Sequence, residues 1–256
     1  MKKLFSFAAY LAVLFLFCGC AGKPGLLNGE YRHDALGHPC QSDMVLEYTG
    51  FTLGYSVFYR QALWASYILA GENLRHPAAS RSRNFFTESR VPDAVAPDGY
   101  RRSGYDRGHL VPAADMAYSE RAMRDSFFMT NISPQFPECN RRVWLDVENM
   151  VRRWALREEF LYVITGPHFA GECERLAKCR VAVPDGFYKA VLDLTAPYKM
   201  IAVYVTHERS GGEVRFMTVD ELENMLGYDF FDRLDDELEN ELESRCDREM
   251  WEVQTK

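Results

Sequence analysis

The run Asp106-Arg107-Gly108-His109 places a side chain that titrates near neutral pH close to a fixed cation, across a glycine that lets the backbone turn. Hydrolysis of a phosphodiester needs two such groups. One deprotonates a water and one meets the phosphate charge. Four residues prove little alone, so the value of the run depends on its companions elsewhere in the chain. Asn131, Asn140, Glu148 and Arg152 stand downstream, and Arg83 stands upstream in Arg81-Ser82-Arg83-Asn84.

Each of these residues has a plainer assignment. His109 alone is more often a satisfied histidine at a strand end. Asn140 offers a neutral oxygen to a hard cation such as Mg²⁺, or it caps the helix that starts there. Glu148 lies eight residues further on, a rise of about 12 Å along a helix. It shares a direct metal shell with Asn140 only with difficulty, so its chemical role would run through water. As the i,i+4 partner of Arg152 it also reads as a surface ion pair. Asn131, in Thr130-Asn131-Ile132-Ser133-Pro134-Gln135, is a turn residue or a site residue. Arg83 is a phosphate clamp or a solvated arginine.

The elements that must position these residues emerge from periodicity. Met44 to Tyr48 and Thr52 to Tyr59 read as an antiparallel pair, with a further strand at Leu63 to Leu69. Ala78 to Gly104 is polar and holds Pro92, Pro97 and Gly99, which predicts a long surface connection. Glu120 to Asp125 reads as a short helix and Phe127 to Thr130 as a strand. From Asn140 to Arg157 the apolar residues Val143, Trp144, Val147, Met150, Val151 and Trp154 recur at spacings of three and four, which predicts an amphipathic helix. Phe160 to Thr165, Tyr188 to Leu194 and Met200 to Val205 read as strands. Val219 to Met225 and Phe230 to Glu243 read as helices, with a frayed tail after them. The expected fold class is α+β, a largely antiparallel central sheet flanked by helices.

The whole chain sets bounds on this. It has 256 residues, 47% of them hydrophobic, enough for a substantial core rather than global disorder. Formal net charge is −7, which argues against a generally basic coat for nucleic acid. The charge is unevenly spread. Residues 101–157 hold 10 Arg against 7 acidic residues, while residues 217–256 hold 14 acidic residues against 4 basic ones. The middle can present a basic surface to phosphates. The acidic segment Asp235 to Glu243 is a solvated helix face, or a screen over a basic groove.

The N-terminus reads as a targeting segment. Met1-Lys2-Lys3 precedes an apolar run from Leu4 to Phe17, short for a membrane span. Phe17-Cys18-Gly19-Cys20 then resembles a lipobox, with Phe17 in place of the usual leucine. Residues 1–19 are expected to be a lipoprotein-type signal, Cys20 the lipidated residue and residues 20–40 a tether. The domain is expected over 41–243 and a tail over 244–256. That places the chain at a bacterial cell envelope, anchored to a membrane through lipid on Cys20; a periplasmic or secreted protein is the alternative. Beyond Cys20 the cysteines are Cys40, Cys139, Cys173, Cys179 and Cys246, an odd number. Cys173 and Cys179 are the expected local disulfide. No CxxC pair or close histidines accompany them, which argues against zinc.

Taken together, the central residues resemble the DNA/RNA non-specific endonucleases, the group that includes mitochondrial endonuclease G. Asp106-Arg107-Gly108-His109-Leu110-Val111-Pro112, then Thr130 to Gln135, then Asn140, Trp144, Glu148 and Arg152 carry the resemblance. It extends to Tyr55, Arg83-Asn84, Thr165-Gly166-Pro167, Val219 to Leu222 and Gly227 to Phe231. The resemblance implies a ββα-metal, or His-Me finger, active-site motif. It implies His109 as general base, Asn140 as the protein ligand of Mg²⁺ (with Mn²⁺ as a substitute), and Glu148 as the residue that orders water on the ion. Arg83, Arg107, Asn131 and Arg152 fall on positions that support phosphate or the geometry of the site. DNA and RNA are the implied partners, cut to 5′-phosphate ends with little sequence preference. Cys139, next to Asn140, departs from the family pattern and raises a question of redox sensitivity. Two other functions compete: a non-catalytic nucleic-acid-binding lipoprotein, and a narrower phosphodiesterase.

Overall fold

A computed structural model describes residues 32–252. The leader, Cys20 and most of the tether lie outside the described residues, as do residues 253–256. No helix among the described residues is long and apolar enough to cross a membrane.

Seven strands form one antiparallel sheet. They are β1 (Met44–Glu47), β2 (Thr52–Ser56), β3 (Gln61–Ala70), β6 (Phe160–His168), β7 (Gly186–Asp193), β8 (Met200–Thr206) and β9 (Val214–Met217), in the order β1-β2-β3-β6-β7-β8-β9. Strands adjacent in space are adjacent in sequence except β3 and β6. The residues between those two, 71–159, form an excursion that carries the candidate site. It contains α1 (Gly71–Arg75), the ribbon strands β4 (Asp106–His109) and β5 (Ile132–Gln135), α2 (Glu120–Ser126) and α3 (Trp144–Glu158). After β9 come α4 (Val219–Leu226), α5 (Asp236–Glu243) and α6 (Arg248–Trp251).

Both faces of the sheet are covered, so its central strands are largely apolar on both sides rather than alternating with polar residues. The pleat still sorts the side chains. Leu161 and Val163 of β6, Val191 of β7 and Ile201 of β8 join Trp144, Val147 and Val151 of α3 in one core. Tyr162, Ile164, Ala190 and Ala202 join Val219, Leu222, Phe230, Phe231 and Leu242 in the other. The excursion and α3 therefore sit on one face, and α4 and α5 on the opposite one.

The expected α+β class and antiparallel sheet are what the chain adopts. Several local expectations differ. Phe127 to Thr130 is not a strand. Phe127 closes α2, Phe128 makes one bridge to Phe86, and Met129–Asn131 is a 3-10 turn. The strand begins at Ile132, where pairing with His109 starts. The helix expected from Phe230 starts only at Asp236. Phe231 takes a left-handed φ of 57°, and the Asp235 side chain caps the helix by accepting from Glu237 and Leu238 N–H. The chain end expected to fray, residues 253–256, lies outside the described residues; just before it Trp251 is fully buried, 4.8 Å from the Trp154 ring. Periodicity predicts neither α1 nor β9.

The Cys173–Cys179 disulfide is absent, since all five described cysteines are free thiols. Their loop is closed by backbone instead. Leu176 N–H donates to Val181 and Val183 N–H to Glu174, while Cys179 packs under Gly99.

Candidate functional site

β4 and β5 form a two-stranded ribbon in which Asp106 faces Gln135 and His109 faces Ile132. Gly108 is required there by space. A Cβ at that position would lie 2.2 Å from the Gln135 side chain. Both ends of β4 are tied to the start of α3. At one end the Trp144 indole N–H donates to the His109 carbonyl (3.3 Å). At the other, the Asp106 carboxylate accepts from Asn140 Nδ2 (2.9 Å) and from Arg141 Nε and Nη2 (2.8 Å each). The ribbon and α3 together make the ββα arrangement, with His109 on the strand and Asn140 at the helix entry.

Asn140 is not a helix cap. It lies within one wide π turn, Cys139–Val143, that leads into α3, and neither helix start has a side-chain cap. Such turns often occur at functional sites. Because Nδ2 is spent on Asp106, the amide is held in one orientation. Its Oδ1 accepts no hydrogen bond among the described residues. Burial would raise the Asp106 carboxyl, but Arg141 and Asn140 hold it below its ordinary range. Nothing in the sequence pattern singles out Asp106 for a role of its own. It orients the ligand candidate across 34 residues of chain, a link that no local pattern encodes.

His109 is 6% exposed, and neither ring nitrogen bonds to a described residue; Nε2 is fully buried. The satisfied-histidine assignment therefore does not hold. Its ring lies edge-on to Phe127, with centroids 4.7 Å apart, and near Phe85. Burial foremost, then the charges of Arg81 and Arg107, push its pKa down to about 3. At neutral pH the imidazole is uncharged, as a proton acceptor must be.

The two cations are fixed by stacking. The Arg107 guanidinium lies 4.2 Å from the Phe85 centroid and that of Arg81 lies 5.3 Å from Phe127. Both arginines are exposed, and neither forms an ion pair among the described residues. Stacking leaves their N–H edges open to phosphate oxygens. Arg83, the expected loop clamp, is exposed and has no such contact. Arg81, two residues earlier, is the loop cation whose charge reaches both His109 and Glu148.

Asn131 is a brace and not a phosphate contact. It is fully buried, and its amide is spent on backbone: Oδ1 accepts from Val111 N–H (2.9 Å), and Nδ2 donates to the Val111 (3.0 Å) and Ser126 (2.9 Å) carbonyls. Arg152 is likewise occupied. It donates to Asp115 and Asn149, both at 2.8 Å, and stands 3.8 Å from Glu148. At 14% and 13% side-chain exposure, Arg152 and Glu148 are no surface pair.

Beneath them runs a buried polar network. Tyr67 donates to Asp115 at 2.9 Å, and Lys189 donates to Thr165 at 3.3 Å while lying over the Trp144 ring. Burial pushes Glu148 up toward neutrality, opposed by the Lys189 and Arg152 charges, and burial pushes Lys189 down. Sequence reasoning does not find Lys189. Its only signal is a lysine inside the apolar run of β7, where it is fully buried.

Cys139 is fully buried, and burial pushes its thiol up to about 12. That leaves it inert rather than redox-sensitive. The acidic segment 235–243 forms α5 on the opposite sheet face, so it does not screen this site.

A hard divalent cation fits the donor set. One neutral amide oxygen is presented, Glu148 stands further along the same helix, and no three His, Cys, Asp or Glu ligand atoms converge here among the described residues. That suits an ion held mostly by water and substrate oxygens, as Mg²⁺ is, and does not suit a zinc cage.

The chain is similar to known nucleases. The family model for DNA/RNA non-specific endonuclease matches residues 33–237. A nuclease of Nostoc sp. is 30% identical over 213 residues, covering 77% of this chain and 76% of that one. Human mitochondrial endonuclease G is 33% identical over 154 residues, 56% of this chain and 52% of its own length, so the match spans about half of that relative. A chain of the EndoG/EndoGI complex, solved to explain EndoG inhibition, superposes with a TM-score of 0.73 at 25% identity, covering 79% of this chain and 91% of that one.

Proposed function

The chain belongs to the DNA/RNA non-specific endonuclease family and is a hydrolase of that class, and from this premise we propose that it cleaves internal phosphodiesters of DNA and RNA at the site built on β4 and α3. His109 takes a proton from water. The resulting hydroxide attacks phosphorus in line with the 3′ oxygen, which departs, takes up a proton from solvent as a 3′-hydroxyl and leaves a 5′-phosphate on the other product, while His109 returns its proton to solvent. Arg107 and Arg81 receive the non-bridging oxygens. Asn140, oriented by Asp106, is the residue that would hold Mg²⁺, with Glu148 ordering water beside it. When bound there, the ion supplies positive charge against that developing on the phosphate and the leaving oxygen. Asn131 positions the His109 strand, and Arg152, Asp115 and Lys189 position Glu148. The leader and Cys20 support a lipid-anchored enzyme at the cell envelope.

The observation that carries this reading is the buried His109 ring, without a partner among the described residues, on a strand tied at both ends to the segment bearing Asn140. The test is digestion of supercoiled plasmid, RNA and a chromogenic diester, with Mg²⁺ and with a chelator. Expected are Mg²⁺-dependent loss of plasmid and RNA and 5′-phosphate ends. Cleavage of the diester alone would favour the narrower phosphodiesterase.

A further inference from the structure

The opposite face of the sheet carries a constellation that phosphodiester hydrolysis does not use. Asp220 and Glu223 lie one turn apart on α4, and Glu243 closes α5. Each brings one carboxylate oxygen to within 4.8 Å of the others. Acidic helix faces are normally solvated, but Glu243 is only 5% exposed. Its Oε1 is fully buried and accepts no hydrogen bond among the described residues, and the same holds for Oε1 of Glu239, one turn earlier. The charged groups that act most strongly on Glu243 are all carboxylates: Glu223, Glu239, Asp220 and Asp229. Glu223 is fixed in place because its Oε1 accepts the Phe230 N–H at 2.6 Å.

A buried carboxylate with neither donor nor counter-ion is unfavourable, and several sharing one space are more so. A hard divalent cation relieves both problems. Ca²⁺ takes carboxylate oxygens singly or in pairs, tolerates irregular geometry and completes its shell with water, whereas Mg²⁺ demands near-ideal octahedral geometry. We propose that Asp220, Glu223 and Glu243, with Glu239 beside them, bind one Ca²⁺ that clamps α5 to α4. The clamp supplements the small apolar anchor of α5, which brings only Leu238 and Leu242 to this core. It lies across the sheet from His109 and Asn140, so its role is structural.

The experiment uses the full chain carrying Asn140→Ala, which removes the catalytic ion's proposed ligand. Ca²⁺ is titrated by calorimetry, and melting is monitored with Ca²⁺, with Mg²⁺ and with chelator. One Ca²⁺ per chain is expected, with a rise in Tm of several degrees. Glu243→Gln trades the buried carboxylate for an amide of the same shape, so it retains the fold. It is expected to weaken Ca²⁺ binding at least about tenfold, with Asp220→Asn acting in the same direction. No binding, an equal Tm rise with Mg²⁺ at the same concentration, or Ca²⁺ binding unchanged in both variants would overturn the proposal.

Discussion

Asn131→Ala separates a brace from a substrate contact. The side chain is fully buried and makes three hydrogen bonds, all to backbone groups. Truncation removes all three and leaves the Val111 N–H and two carbonyls unpaired in the core. A hydrogen bond contributes about 1 kcal/mol net, and each orphaned buried group costs about 1–3 kcal/mol. Partial relaxation makes these costs less than additive, so about 3–5 kcal/mol is expected. That is a large share of the roughly 5–15 kcal/mol a domain possesses, and it corresponds to a fall in Tm on the order of 10 °C. Calorimetry or circular dichroism reads the fall. A salt titration of DNA binding, made well below the new Tm, reads the other half. A residue that touches no phosphate leaves the slope of log K against log salt unchanged. The reasoning is refuted if Tm stays within about 2 °C of the parent and the salt slope falls by about 1, the signature of a lost phosphate contact.

The same geometry predicts three further outcomes. His109 is depressed to about 3 in the fold against an ordinary 6.5, so its contribution to stability is fully present above pH 6.5 and is lost as pH falls toward 3. Urea titrations at pH 7 and pH 4 should show His109→Gln losing about 3 kcal/mol less than the parent, and equal losses would contradict the burial argument. Arg81→Ala should lower kcat/KM at least about tenfold while Arg83→Ala stays within about threefold, and the reverse ranking in a plasmid assay would return the clamp to Arg83. Trp251→Ala should cost about 3–5 kcal/mol, and an unchanged denaturation midpoint would mean that the C-terminal turn is not part of the core.

The central strands β3, β6, β7 and β8 are legible in the sequence because they are long, largely apolar and buried on both faces, whereas β9 is short and exposed and is not. The helix bearing Glu148 is legible because Trp144, Val147, Val151 and Trp154 repeat along one stripe of it. The Phe127 turn imitates a strand because Phe127 packs against His109 and Arg81, and Phe128 against Tyr48 and Phe86, rather than into a sheet, and β propensity cannot tell those uses apart. The late start of α5 depends on a left-handed Phe231, a conformation set by tertiary packing. Within the site, His109 and Asn140 are legible as residue types at a spacing. Their orienting partners are not, because Asp106 reaches Asn140, and Lys189 reaches the ring of Trp144, across long stretches of chain. Arg81 and Arg83 differ by two positions in one polar loop, and only stacking on Phe127 distinguishes them.

The central claim is that His109 and Asn140 are two halves of one hydrolytic site. Single-turnover cleavage of an end-labelled DNA duplex in Mg²⁺ by the parent, His109→Ala, Asn140→Ala and the double variant tests it most directly. Removing a general base costs about 10²–10⁴-fold. Each single variant should be slowed on that scale, and the double variant should be little slower than either, since residues that act as a unit are not additive. A folded His109→Ala enzyme that keeps cleaving within about tenfold of the parent, or two losses that multiply in the double variant, would contradict the claim.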